Sequence, residues 1–271
     1  MKTKLHLIIL CLVLLFVAGG QSVCLAADTW SYPTTKPETP FGGGDGSWAD
    51  PYRIETAQHL ANLAYMVTDE NTEYKGKYFV LTNDITLNDD VINDEGTGLK
   101  NPESSYKLWT PIGEYGFWGD DEFKGYFDGQ GHTIRGLVCI NFDGEGKYNG
   151  FFGATDEATI KNLNLEDCYV CATTVDEHNQ KYGVLAAETV SSTFINCHVS
   201  KSVVDVFLDY SPWMTNDKVH IYVGGLIASC DYSPGKVSNM HDTSRLTNCS
   251  FQGNIYVPKI RKQSQWQSQL Q

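Results

Sequence analysis

At 271 residues and 41% hydrophobic content, the chain carries enough apolar material for one large domain or two small ones, which excludes wholesale disorder. Its formal charge of -13 repels phosphate backbones and anionic bilayers, so no nucleic-acid partner is expected and the acidity reads as a solvated surface. The first predicted element is a targeting segment. Lys2 and Lys4 precede an apolar run from Leu5 to Ala18, then Gly19, Gly20 and small residues, the pattern of a secretory signal peptide over residues 1–26. That run of about 13 apolar residues is shorter than the roughly 20 that span a bilayer, and no later stretch is long enough, so no transmembrane segment is expected. Loss of Lys2 and Lys4, with no acidic residue before Asp28, takes the charge from -13 to -15. Cys24 leaves a lipid anchor as the alternative to plain cleavage near Ala26, although Gln21, Ser22 and Val23 match a lipobox poorly. Either way the location expected is secreted or outer cell surface.

Residues 27–46, which include SYPTTKPETPFGGGDG, read as a flexible Pro/Thr/Gly leader. A folded domain is expected over 47–260, opening on a helix. Ile54, Ala57, Leu60, Ala61, Leu63, Ala64 and Val67 recur at helical spacing behind Thr56, a candidate N-cap. After Tyr74 the pattern changes to short strand-like runs between Gly, Asn and Asp turns: 78–87, 132–140, 158–170, 192–204 and 244–257. The chain ends in a polar, Gln-rich tail over 261–271, expected to be poorly ordered.

These runs are degenerate repeats. Ile160, Asn162, Leu163 and Leu165 align with Phe194, Asn196, Cys197 and Val199, and then with Leu246, Asn248, Cys249 and Phe251. Each is led by a glycine-hydrophobic step: GFFGA at 150–154, GVLAA at 183–187, GGLIA at 224–228. The intervals, 34 residues from Asn162 to Asn196 and 52 from Asn196 to Asn248, are too irregular for a closed propeller and suit a coil with insertions. One short strand cannot bury its apolar side chains alone, whereas parallel stacking makes a continuous core. The fold class predicted is therefore all-β, a right-handed parallel β-helix or β-solenoid with an N-terminal capping helix. Asn162, Asn196 and Asn248 would stack as a ladder at a bend, the alternative being that they only mark turns. Cys197 and Cys249 follow them in one column with Leu163, which suits inward thiols acting as small hydrophobes. At about 4.8 Å between strands the pair is also within disulfide range.

GDGSWADPYRIETAQHLANLA, GKYFVLTNDITL, WTPIG, FKGYFDGQGHTIRGL, NGFFG and ATIKNLNL, in that order, resemble the bacterial GLUG-motif proteins, exported or surface proteins named for a Gly-Leu-any-Gly step. The motif also occurs in the amino-terminal regions of immunoglobulin-A-cleaving metallopeptidases. The resemblance implies a pectin-lyase-like β-solenoid outside the cytoplasm, serving in adhesion or as a stalk. In the later copies GVLA and GGLI lack the second glycine, so the glycines are expected to permit a tight bend rather than to bind a ligand.

Chemistry is sparsely signalled. No HExxH occurs among His59, His132, His178, His198, His220 and His241, no GxSxG elbow is present, and no phosphate loop lies in 44–75. Cys168 and Cys171 have CxxC spacing without a thioredoxin-like context. A glycosidase needs carboxylates roughly 5 to 10 Å apart, and a lyase commonly needs a basic group beside calcium-binding carboxylates. The candidates are Asp84, Asp89 and Asp90; Asp120, Asp121 and Glu122; and Arg135 near the turn Asp128-Gly129-Gln130-Gly131-His132. Neither cluster makes a signature, and no catalytic residue, metal or cofactor is assigned. Aromatic residues crowd the region from Trp109 to Phe127; the expectation favoured is that these rings pack under the long loop and around the first rungs, and Trp109, Tyr115 and Trp118 are the candidate glycan platform if they do not. The function expected is a noncatalytic exported or cell-surface solenoid acting in adhesion or as a scaffold, with an extracellular glycan or a host or bacterial surface protein as partner. The alternatives are a carbohydrate-active β-helix enzyme and a structural fragment of a longer surface protein.

Overall fold

The computed structural model describes residues 29–68, 74–114, 121–141, 148–172, 180–206, 221–230 and 244–257. The signal segment, the tail over 261–271, and Tyr115 and Trp118 of the glycan platform lie outside them. The described residues are mostly β, with parallel sheets and one α-helix.

The chain opens with β1 (Tyr52–Ile54) and α1 (Ala57–Thr68). Thr56 starts the helix as its spacing predicts: the side-chain Oγ1 accepts from the His59 backbone N–H at 3.2 Å. The helix buries Leu60, Leu63, Ala64 and Val67 in the main apolar cluster beside Ile54 and Phe79.

Each predicted strand run then breaks into short strands. The second pass holds β2 (Tyr78–Leu81) and β3 (Ile85–Thr86). The third holds β4 (Tyr126–Asp128), β5 (Thr133–Arg135), β6 (Val138–Asn141), β7 (Tyr148–Asn149) and β8 (Phe152–Asp156). The fourth repeats that order as β9 (Thr159–Lys161), β10 (Asn164–Glu166), β11 (Tyr169–Ala172), β12 (Gln180–Gly183) and β13 (Ala186–Val190). The fifth holds β14 (Thr193–Ile195), β15 (His198–Val206), β16 (Ile221–Gly224) and β17 (Ile227–Ser229), and the last holds β18 (Arg245–Thr247) and β19 (Ser250–Tyr256).

Matching strands of successive passes pair in parallel. One sheet runs β1-β2-β4-β9-β14-β18, and two three-stranded sheets run β16-β12-β7 and β17-β13-β8. The seven-stranded sheet runs β3-β5-β10-β15-β11-β6, with β19 added on β15. The registers stack like residues in columns. Phe79, Phe127, Ile160 and Phe194 form one inward column, each at most 1% exposed. Burial of each such side chain contributes roughly 1.5–3 kcal/mol.

The bends explain why the runs break where they do. Asn162, Asn196 and Asn248 all adopt left-handed backbone, at φ 53°, 53° and 51°. Asn tolerates this conformation better than most residues because its short amide bonds locally. Asn196 Nδ2 donates to Asn162 Oδ1 at 3.0 Å, and Asn248 Nδ2 donates to Asn196 Oδ1 at 2.8 Å. Asn162 Nδ2 in turn donates to Asp128 Oδ1 at 3.0 Å, so the ladder ends on a carboxylate that the repeat alignment does not contain. Gly183 and Gly224 stack in register where the backbones approach most closely. A Cβ at Gly183 would lie 2.3 Å from the Ala186 carbonyl oxygen, and one at Gly224 would lie 1.9 Å from that of Ile227. No larger residue fits either position, so the glycine is required for packing.

Residues 29–46 are not a flexible leader. Trp30 is 6% exposed and its Nε1 donates to the Leu87 carbonyl at 3.0 Å. Phe41 is buried among Tyr52, Tyr74 and Phe79. Two buried aromatic side chains anchor the segment, and composition alone conceals this because most of the segment is polar. Gly42 N donates to Arg53 O and Arg53 N to Gly43 O, so the outer edge of β1 is occupied.

A second apolar cluster covers the outer face of β6, β11 and β15, where Val138, Tyr169, Cys171 and Val203 pack under Val91 and Ile92. The segment that bears these two residues is fastened by Asp167, whose carboxylate accepts from the Val91 and Ile92 backbone N–H at 2.8 and 3.0 Å.

Replacing Asn196 by Ala removes two amide hydrogen bonds and places a Cβ-bearing residue without a local acceptor in left-handed backbone. A loss of about 2 kcal/mol in denaturant unfolding is expected, and only about 1 kcal/mol for Asn196→Gly, which keeps the bend. Equal losses for the two variants would show that the bend conformation contributes nothing.

Candidate functional site

The outer face of the six-stranded sheet presents aromatic rings to solvent. Alternation along β2 and β4 turns Phe79 and Phe127 inward and Tyr78 and Tyr126 outward. Tyr78 and Tyr126 are cross-strand partners, and their rings lie 4.2 Å apart at 4°. Such pairs contribute about 0.5–1.5 kcal/mol beyond area burial. Partial burial, and after it the neighbouring Tyr126, raises the Tyr78 hydroxyl above its ordinary pKa. Tyr126 is 41% exposed, and its partner on the next pass is the small Thr159, so one ring face stays open. Trp48, at 80% exposure, stands beside this pair. Together Trp48, Tyr78, Tyr126, Asp128, Thr159 and Lys161 line an open depression of ≈ 200 Å³.

In the next outward column Val80, Asp128, Lys161 and Ile195 stand in register, and its two middle members are charged. Lys161 Nζ lies 3.1 Å from Asp128 Oδ2, while Asp128 Oδ1 accepts from Asn162 Nδ2 and from the Gln130 N–H. Partial burial opposes ionisation of Asp128, but the Asn162 amide, the Gln130 N–H and Lys161 together hold its carboxyl below the ordinary value. The site therefore offers flat apolar rings next to a fixed carboxylate and an ammonium, the set that grips a polyol with one apolar face.

Of the predicted platform only Trp109 is described, and it does not lie at this surface. Trp109 is 4% exposed, stacked on Phe151 at 5.5 Å and 11°, with its Nε1 donating to the Phe151 carbonyl. It is a core residue, because its indole lies over the inward face of the third pass. The exposed tyrosine pair has a signal in the sequence: Lys77-Tyr78-Phe79 and Gly125-Tyr126-Phe127 repeat one Tyr-Phe step on paired strands.

Among the described residues the remaining candidate groups disperse, and Asp120 lies outside those residues. Asp84 lies 3.2 Å from His132 Nδ1 and 3.8 Å from Arg135, and Arg135 Nε donates to Glu166 at 3.0 Å. Partial burial opposes ionisation of Asp84, yet the Thr133 N–H, His132 and Arg135 lower its pKa overall. Asp90 pairs with Lys100, and Glu122 with Lys124, which also holds Asp156. These acids tie neighbouring strands and loops together. No group of three metal-binding side chains occurs among the described residues.

Cys168 and Cys171 turn to opposite faces of the seven-stranded sheet, Cys168 into the main cluster and Cys171 into the second. Three residues apart in extended backbone, they cannot act as a redox pair. Cys197 and Cys249 occupy the inward column of Leu163, and each thiol points at a carbonyl of the preceding pass, that of Ile160 and that of Phe194. Both are free thiols. Burial pushes the pKa of Cys139, Cys168, Cys171 and Cys197 up to about 12.

No family model matches the chain. Over 131 residues, 48% of this chain, it is 33% identical to a protein of Evansella cellulosilytica provisionally named a Gly-rich membrane protein. The matched part is 12% of that protein's length. A crystal structure of a Bacteroides ovatus protein, provisionally named an immunoglobulin A1 protease, superposes with a TM-score of 0.34 and 15% identity. The superposition covers 82% of this chain and 81% of that one. A similarity of this size carries no argument about fold or function.

Among the six cysteines from Cys139 onward, only Cys230 is exposed, so native protein should show one fast-reacting thiol at pH 8 and six after unfolding without reductant. Four or fewer in the unfolded protein would reveal a disulfide. For Asp84 and Asp128 the folded pKa is depressed, so their contribution is present above the ordinary carboxylate value of about 3.9 and is lost as pH falls through the folded values. The double variant D84N/D128N should accordingly show a flatter stability profile below about pH 4 than the parent, measured by thermal unfolding across pH.

Proposed function

We propose that the chain is an exported or surface-associated, noncatalytic right-handed β-solenoid of the GLUG-motif kind, whose exposed aromatic face contacts glycans in an adhesive or scaffolding role. The recurrence of left-handed bends at Asn162, Asn196 and Asn248 and the parallel pairing of successive passes support the solenoid reading. Partial similarity to a protein provisionally named a membrane protein agrees with a surface location. The observation that carries the function is the Trp48, Tyr78 and Tyr126 surface with the Asp128–Lys161 pair at its side.

The physical argument is one of shape and polarity. A pyranose has an apolar C–H face and a rim of hydroxyls. The open face of Tyr126 takes the first, and Asp128 as acceptor with Lys161 as donor takes the second. Thr159 supplies the space, since a larger residue in its column would cover the ring.

The test is a glycan array followed by titration calorimetry on the best binder. Trp48→Ala and Tyr126→Ala should each weaken binding roughly fivefold, about 1 kcal/mol, with unchanged circular dichroism. An array with no binder above background rejects the reading, as does a binder indifferent to both substitutions.

A further inference from the structure

We infer, resting on the glycan reading above, that the site seats one neutral pyranose as the next ring of the tyrosine ladder, over Thr159, and so reads a chain end or side branch rather than a run of polysaccharide. The orientation of the rings decides this. Tyr78 and Tyr126 are partners on adjacent strands, so the line between them follows the stack of passes. Their ring centroids are 4.2 Å apart and their planes differ by 4°. Because carbon atoms do not pack closer than about 3.5 Å, each ring normal lies within roughly 35° of that line. The ring faces therefore look along the stack and the ring edges look outward. Each tyrosine covers one face of the other, and Tyr126, at 41% exposure, keeps its second face open toward the following pass.

The next members of that column are Thr159 and Thr193, both too short to reach ring height. Strands lie about 4.8 Å apart, close to the height at which a saturated ring rests on an aromatic one, so a pyranose on Tyr126 comes level with Thr159 and supplies the ring its strand lacks. Glycosidic bonds leave a pyranose from its edge, so further residues extend in the plane of the seated ring. That plane crosses the stack, and the second residue meets no ring of the column. The depression has a matching size: ≈ 200 Å³, below the roughly 300 Å³ at which pockets begin to enclose drug-sized ligands. Lys161 lies two residues beyond Thr159 on the same face of β9, with its ammonium 3.1 Å from Asp128 Oδ2. This pair meets the hydroxyl edge of the ring, the carboxylate accepting and the ammonium donating. It carries no net charge, and a chain of net charge -13 repels uronates and sulfated sugars, so the ligand is neutral.

The test is affinity against ligand length on the unaltered protein. Methyl glycosides of glucose, galactose and mannose, a linear tetrasaccharide of each and the corresponding uronic acids are titrated by NMR to about 20 mM, since a single sugar ring binds at roughly millimolar strength. One neutral methyl glycoside should bind within about fivefold of its tetrasaccharide and at least about tenfold tighter than its uronic acid. Thr159→Tyr adds a third ring to the ladder and fills the seat, so binding of that glycoside should fall at least about tenfold while circular dichroism and melting temperature are kept. A tetrasaccharide favoured by more than that fivefold margin overturns the inference and leaves the glycan reading standing, and so does a folded Thr159→Tyr protein that binds undiminished. A uronic acid bound as tightly as the neutral glycoside also overturns it. Should Thr159→Tyr fail to fold, the length series on the parent decides by itself. If no probe binds and the array is blank, the glycan reading falls and takes this inference with it.

Discussion

Asn196 makes two hydrogen bonds directed along the stack, one to the amide of the pass before it and one from the amide of the pass after it, while its own backbone sits in the left-handed region. That position sets the register for everything around it. In a strand the side-chain period is two, so a slip of one residue exchanges the buried and exposed faces. With the bend fixed at the asparagine, the residue two positions before it points inward, as Ile160 and Phe194 do, and the residue just before it points out, as Lys161 and Ile195 do. Cys197 and Cys249 fall inward by the same rule, beneath Leu163 in the same column, which is why a thiol substitutes there for an aliphatic side chain.

The polar groups that fasten loops act on this frame rather than create it. Asp167 captures two backbone N–H groups of the segment after Asp90, and Asn88 bridges the Lys107 N–H and the carbonyls of Lys107 and Gly136. Both hold loop backbone that would otherwise lose its hydrogen bonds on burial. Their effect is asymmetric. They cover the outer face of β6, β11 and β15 with apolar residues and leave the outer face of β2, β4 and β9 open, so the rings of Tyr78 and Tyr126 remain accessible.

The same asymmetry separates buried charge pairs from solvent-facing ones. The Lys181–Glu188 pair is buried, with both side chains 5% exposed at 2.9 Å, and the Lys181 ammonium lies over the Tyr148 and Tyr222 rings of the adjacent passes. Breaking such a pair strands a charge in a low dielectric. The Asp128–Lys161 pair is of similar length but partly exposed, so solvent reaches its Lys161. Position on the sheet decides between the two roles.

Local chemistry was legible where a residue's role depends on near neighbours. The N-cap at Thr56, the apolar face of the helix, the asparagine bends and the small inward thiols all follow from spacing and side-chain type. Roles that depend on distant partners were not legible. Trp30 and Phe41 read as leader because their partners, Leu87 and Phe79, lie far along the chain. Trp109 was open between core packing and a surface platform because a tryptophan in a Gly-rich region has no local mark of burial, and Asp128 read as an isolated turn residue because its Asn162 partner is on the next pass. The sequence by itself determined a repeating, parallel β chain with asparagine corners, since each short strand needs a like neighbour to bury its apolar side. Only the tertiary structure decided which faces were covered, and so which rings were left exposed, because covering a face takes segments that no local pattern ties to it.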